Sequence, residues 1–125
     1  MSELYSIPVE QAVLSSLMDH EQGSGEHIEQ LTESDFYATR HQVIFHHIKN
    51  QYSKGEAHDS LVIWEMIRRN AQDAQHCTEE YFLELTSTIA RFGLLCTHVK
   101  QLKDLAIRRK IHDLSQALTT IENDT

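Results

Sequence analysis

The chain has 125 residues, 40% hydrophobic and 24% charged, which suits one modest helical or mixed domain and excludes a disordered or fibrous chain. Its formal charge of −8 argues against stand-alone binding to duplex nucleic acid, because phosphate contacts need Lys and Arg. No apolar run approaches the ~18 residues of a membrane span, and no signal peptide opens the chain, so a cytoplasmic protein is expected.

With one proline and four glycines, breakers are few, and long periodic stretches favour helices. The first is predicted to start at Pro8, with Val9, Val13, Leu14, Leu17 and Met18 as its apolar face. Gly23 and Gly25 end it, and a short helix follows around His27–Leu31. "TESD" at 32–35 is rich in capping residues and early acids. It introduces a helix on which Tyr37, His41, Phe45, Ile48 and Tyr52 share one face. A loop around Gly55 leads to Asp59 or Ser60, either of which can cap the next helix, with apolar set Val62, Ile63, Trp64, Met66 and Ile67. "AQDAQHC" reads as a polar linker. Thr78 caps a fifth helix that buries Tyr81, Phe82, Leu85 and Ile89 and ends at Gly93. A long final helix begins near Leu94. Nothing alternates with period two, so the predicted fold is all-α: a compact head of about five helices over 1–93, then one long helix over 94–125.

The final helix carries the informative pattern. At ~100° per residue, Leu95, Leu102 and Ala106 fall within about 60° to one side of Val99. Ile107, Ile111, Leu114, Leu118 and Ile121 fall roughly 40–120° to the other side. The stripe changes face at 106–107. The first set continues the core of the head. The second follows the 4-3-4-3 spacing of a helix that packs along another helix. It either buries against the same body or docks on a partner, and the change of face favours the partner. Ile107, Ile111, Leu114, Leu118 and Ile121 are therefore the candidate protein-interface residues, with self-association as the expected use. Charge is uneven too: residues 1–99 carry six basic and fifteen acidic side chains, net −9, and residues 100–125 carry five and four, net +1.

Signatures of catalysis are missing. The chain has no GxxxxGK[ST], GxGxxG, GxSxG or HExxH, and no catalytic residue is assigned. His46 and His47 point about 100° apart on a helix and are poorly placed to chelate one ion. His41 reads as a hydrogen-bonded core histidine, and Cys77 and Cys96 as two reduced thiols. No cofactor or metal is expected.

Three stretches carry a family resemblance: "VEQAVLSSLM" (9–18), "SDFYATRHQVIFHHIKNQYSKG" (34–55) and "HVKQLKDLAIRRKIHDL" (98–114). In order and spacing they resemble the N-terminal domain of the replicative DNA helicase DnaB family. The opening helix matches at Glu10, Gln11, Val13, Leu14, Leu17 and Met18. The D-F-Y…H-x-x-I-F element, the most specific, matches at Asp35, Phe36, Tyr37, His41, Ile44 and Phe45. Ala106, Arg109 and Ile111 fit the family's long helix. Ser15 replaces a family glycine, and the family's tryptophan after the first helix is missing from His20–Gly23. The resemblance implies a helical head followed by a helical hairpin that pairs subunits of a hexamer, and a collar that engages primase or a loader. It also implies that ATP hydrolysis resides in a C-terminal domain outside these 125 residues. The expected function is a non-catalytic module for oligomerisation and docking. A second reading is a stand-alone phage or mobile-element relative that binds host helicase or primase.

Overall fold

A computed structural model of the chain describes residues 4–19, 23–87 and 94–123, with side chains described through Thr120. Among these residues it contains seven α-helices and no strand: α1 (Ile7–Asp19), α2 (Gly25–Gln30), α3 (Thr39–Ser53), α4 (Ser60–Arg69), α5 (Ala71–His76), α6 (Glu79–Thr86) and α7 (Leu95–Asn123). A 3-10 turn, Glu33–Asp35, sits between α2 and α3.

The caps explain most of the boundaries. The Asp59 side chain accepts from the Val62 N–H, and the Thr78 hydroxyl from the Tyr81 N–H, so α4 and α6 begin where the sequence predicts. Gly23 has φ 88, a left-handed turn, which moves the start of the second helix back to Gly25. Two predictions fail. "AQDAQH" is helix α5 rather than linker: the Asn70 side chain accepts from the N–H groups of Gln72 and Asp73, and Cys77 ends it. Tyr37 does not share the α3 face. The Thr32/Asp35 capping box spends the start signal on the 3-10 turn, and Tyr37 lies in the extended link before α3, half exposed. Ile89 and Gly93 fall outside the described residues.

The core draws on every helix but α5. Val13, Leu14 and Leu17 of α1, Ile44, Phe45 and Ile48 of α3, and Ile63 and Ile67 of α4 are fully enclosed. Each such side chain contributes about 1.5–3 kcal/mol relative to exposure. α3 lies at the centre, against α1, α2, α4 and α5. Its face meets α1 through a polar seam as well as an apolar one. Glu10, fully buried, accepts from the N–H groups of Tyr37 (2.7 Å) and Ala38 (3.3 Å) and from His41 Nδ1 (2.6 Å). His41 Nε2 meets the Tyr81 hydroxyl of α6, which also accepts from Gln11. His41 is thus a hydrogen-bonded core histidine tying three helices together. Its neighbours His46 and His47 pair separately, with Glu33 and with Asp73.

α7 packs lengthwise along α1 and the 3-10 turn, burying Leu95, Val99, Leu102 and Ala106. These are the four positions that helical arithmetic assigns to the head.

Candidate functional site

α7 is built in two unlike halves. The proximal half is apolar where it meets the head and basic beside it. Lys103 Nζ reaches the Gln30 carbonyl (2.7 Å) and the Asp35 carboxylate (3.5 Å). Arg109 donates to the carbonyls of Leu4 (2.8 Å) and Asp35 (3.0 Å). These charge-assisted bonds satisfy carbonyls left over at the end of α2 and in the 3-10 turn. They also bind the helix to the head at the point where apolar burial stops.

Beyond Arg109 the helix leaves the head. Every residue from Lys110 to Thr120 is exposed. Four of the five candidate interface residues lie on this stretch or at its root: Ile107 is 54% exposed, Ile111 61%, Leu114 64% and Leu118 61%. Ile121 continues the same helix, its side chain outside the described set. Among the described residues, none of these four side chains is buried against the head. The structure brings them together as one bare face, roughly 60–120° around the helix from Val99. A clustered apolar face differs from the scattered single leucines that any surface carries.

Charge is divided along the same helix. Residues 100–110 hold Lys100, Lys103, Arg108, Arg109 and Lys110 against Asp104 alone. Residues 111–125 hold Asp113, Glu122 and Asp124 and no Lys or Arg. Arg108 pairs with Asp104 at 3.0 Å on the exposed side.

Beside the root of the arm, Tyr5 and Tyr37 stack with ring centroids 3.9 Å apart and planes at 6°, both substantially exposed. The Arg109 guanidinium lies 5.8 Å from the Tyr37 ring centroid. Apolar periodicity assigns Tyr37 to the α3 face and gives no sign of Tyr5. Only the capping box at Thr32–Asp35 could have signalled that Tyr37 precedes the helix.

The arrangement offers contact surface. No group of three or more His, Cys, Asp or Glu side chains able to hold a metal occurs among the described residues. None of the described helices is long and apolar enough to cross a membrane. Burial raises the Cys77 thiol to about 11, opposed weakly by nearby Arg40, which makes it a poor nucleophile.

Comparison with known proteins gives a consistent result. The family model for the DnaB-like helicase N terminal domain matches residues 2–104. The match therefore takes in the head and the proximal part of α7 and stops before the bare face. Among curated proteins, the replicative DNA helicase DnaB of Rhodothermus marinus is 29% identical over 106 residues, covering 85% of this chain and 11% of that protein. The chain thus spans about a ninth of the length of that relative. Among solved structures, the N-terminal domain of DnaB helicase from Mycobacterium tuberculosis superposes with a TM-score of 0.85 at 19% identity, covering 95% of this chain and 86% of that one. The N-terminal domain of DnaB helicase from Helicobacter pylori, described with its interactions with primase, gives 0.75 at 19% identity, covering 93% and 90%. At these identities the structural likeness establishes the fold.

Proposed function

The chain belongs to the DnaB-like helicase N-terminal domain family, and from that membership we propose that it is a non-catalytic assembly module of a replicative DNA helicase. In this reading it associates with a second copy through Ile107, Ile111, Leu114, Leu118 and Ile121, and the assembled head docks a primase or a helicase loader. ATP hydrolysis and DNA translocation belong to another part of the helicase.

The observation that carries the proposal is the bare apolar face of α7. A leucine or isoleucine exposed to this degree offers about 100 Å² of apolar surface, so the four described side chains offer roughly 400 Å². That is about half of the ~800 Å² per partner in a standard protein interface. A second helix laid along α7 would cover this face, and its flanking residues would supply the remaining area. The primase part of the proposal is supported by the interactions with primase described for the Helicobacter pylori domain.

Introducing charge on the face tests the assembly step. Ile111→Asp with Leu114→Asp changes two exposed side chains, for which folding costs stay within about 0.5 kcal/mol each. Helicity by circular dichroism should be retained, and light scattering should report a smaller species than the parent chain. An unchanged mass would refute association through this face.

A further inference from the structure

A second surface has features of a binding site, and it lies on the head rather than on α7. α4 and α6 cross with Trp64 and Phe82 in contact, ring centroids 5.4 Å apart. Between the two helices opens a slot of about 150 Å³, bordered by Leu61 and Leu83 and by Glu79. Leu61 is 69% exposed and Leu83 59%. Neither belongs to the core stripe of its helix, which is already filled by Ile63 and Ile67 on α4 and by Phe82 and Leu85 on α6. The head therefore folds without burying them, and both stand at the mouth of one apolar recess. An apolar space of about this volume admits a benzene-sized group.

Near the slot carboxylates outnumber cations, Glu65, Glu79, Glu80 and Glu84 against Arg68 and Arg69. Glu65 is held by Arg68 at 3.0 Å and Arg69 at 3.7 Å, and those guanidinium groups keep its carboxyl below the usual carboxylate range. Glu79, Glu80 and Glu84 on α6 are exposed and form no ion pair among the described residues. Of these carboxylates Glu79 lines the recess itself, Glu80 and Glu84 stand further round the same exposed helix, and Arg68 and Arg69 are engaged by Glu65.

We propose that the slot between α4 and α6 receives an amphipathic helix of another protein, one that inserts a leucine-sized anchor and flanks it with Lys or Arg. The recess supplies a place for the anchor, Leu61 and Leu83 extend the apolar contact to either side, and the α6 carboxylates select basic flanks. Acidic helices are disfavoured by the same carboxylates. The small area makes the contact weak and reversible, of the transient class. The proposal stands apart from association through α7.

Trp64 is the sole tryptophan, so its emission reports on the slot directly. The intact chain is titrated with a helical peptide of leucine and lysine and with its leucine–glutamate counterpart. The leucine–lysine peptide should shift Trp64 emission to the blue and saturate, with the leucine–glutamate peptide at least tenfold weaker. Leu61→Ser with Leu83→Ser, checked for unchanged circular dichroism, should weaken the first peptide at least tenfold. Glu79→Gln with Glu80→Gln should weaken it and flatten its salt dependence. Unmoved emission, equal binding of both peptides, or unchanged affinity in the leucine variant overturns the proposal. So does an emission shift that follows protein concentration with no peptide present, because a second copy would then be the occupant.

Discussion

Replacing Glu10 by alanine should be among the most damaging single changes available to this chain. The carboxylate is fully buried and accepts three hydrogen bonds, from Tyr37 N, Ala38 N and His41 Nδ1. Ala38 is the N-cap of α3 and has no side chain able to cap it, so Glu10 also supplies negative charge at the positive end of that helix. Truncation leaves three buried donors without an acceptor. Each donor left unsatisfied costs about 1–3 kcal/mol, so a total loss of about 3–5 kcal/mol is expected. A domain of this kind has roughly 5–15 kcal/mol in total, so the loss is a large fraction. In urea, with an m-value near 2 kcal/mol/M, the midpoint should fall by about 2 M. Glu10→Gln keeps one acceptor oxygen but presents an amide to donors, and should cost about 1–3 kcal/mol. Unfolding followed by circular dichroism in both variants, in His41→Ala and in the Glu10→Ala/His41→Ala double variant completes a cycle. A loss under about 1 kcal/mol for Glu10→Ala would refute the claim that this carboxylate joins α1 to the start of α3.

Two further outcomes follow from local geometry. In the native protein, a thiol alkylating agent near neutral pH should modify exposed Cys96 and spare Cys77, whose thiol is buried and raised to about 11; peptide mapping by mass spectrometry reads the ratio, and equal labelling contradicts the burial. Gly25→Ala places a Cβ 2.6 Å from the Tyr52 hydroxyl, which itself donates to Glu29, so the ring must shift; the expected loss is about 1–3 kcal/mol in a urea titration, and a neutral result would show that the ring moves freely.

The sequence is most legible where burial is periodic. The split of α7 into a buried set and a bare set follows from ~100° steps alone, and the observed exposures of eight residues fall on the two sides of that division. The caps Asp59 and Thr78 are equally readable, since a short polar side chain before an apolar run has one main local use. Reading by apolar stripe fails at α5, which buries nothing and so leaves no stripe. It fails at Tyr37 because periodicity places a residue on a helix face without fixing where the helix begins. Glu10 shows a different limit. As a motif residue it is visible, but its role depends on His41 and Tyr81, 31 and 71 positions away, and no local pattern predicts that meeting. The slot at Leu61 and Leu83 was half legible: both leucines fall outside the predicted buried sets, but their convergence needs the crossing of α4 and α6.

The anchoring of α7 by Lys103 and Arg109 has a mechanical side. Arg109 is the last residue of the helix hydrogen-bonded to the head among the described residues, and from there to Asn123 the helix runs about 21 Å. A swing of about 10° at that point carries the tip sideways by roughly 4 Å, enough to unseat anything packed along it. The carbonyls of Leu4 and Asp35 therefore aim the spar, and the 3-10 turn beneath them serves as its bearing. Any strain that distorts Glu33–Asp35 is geared up at the far end, where Leu118 stands in solvent.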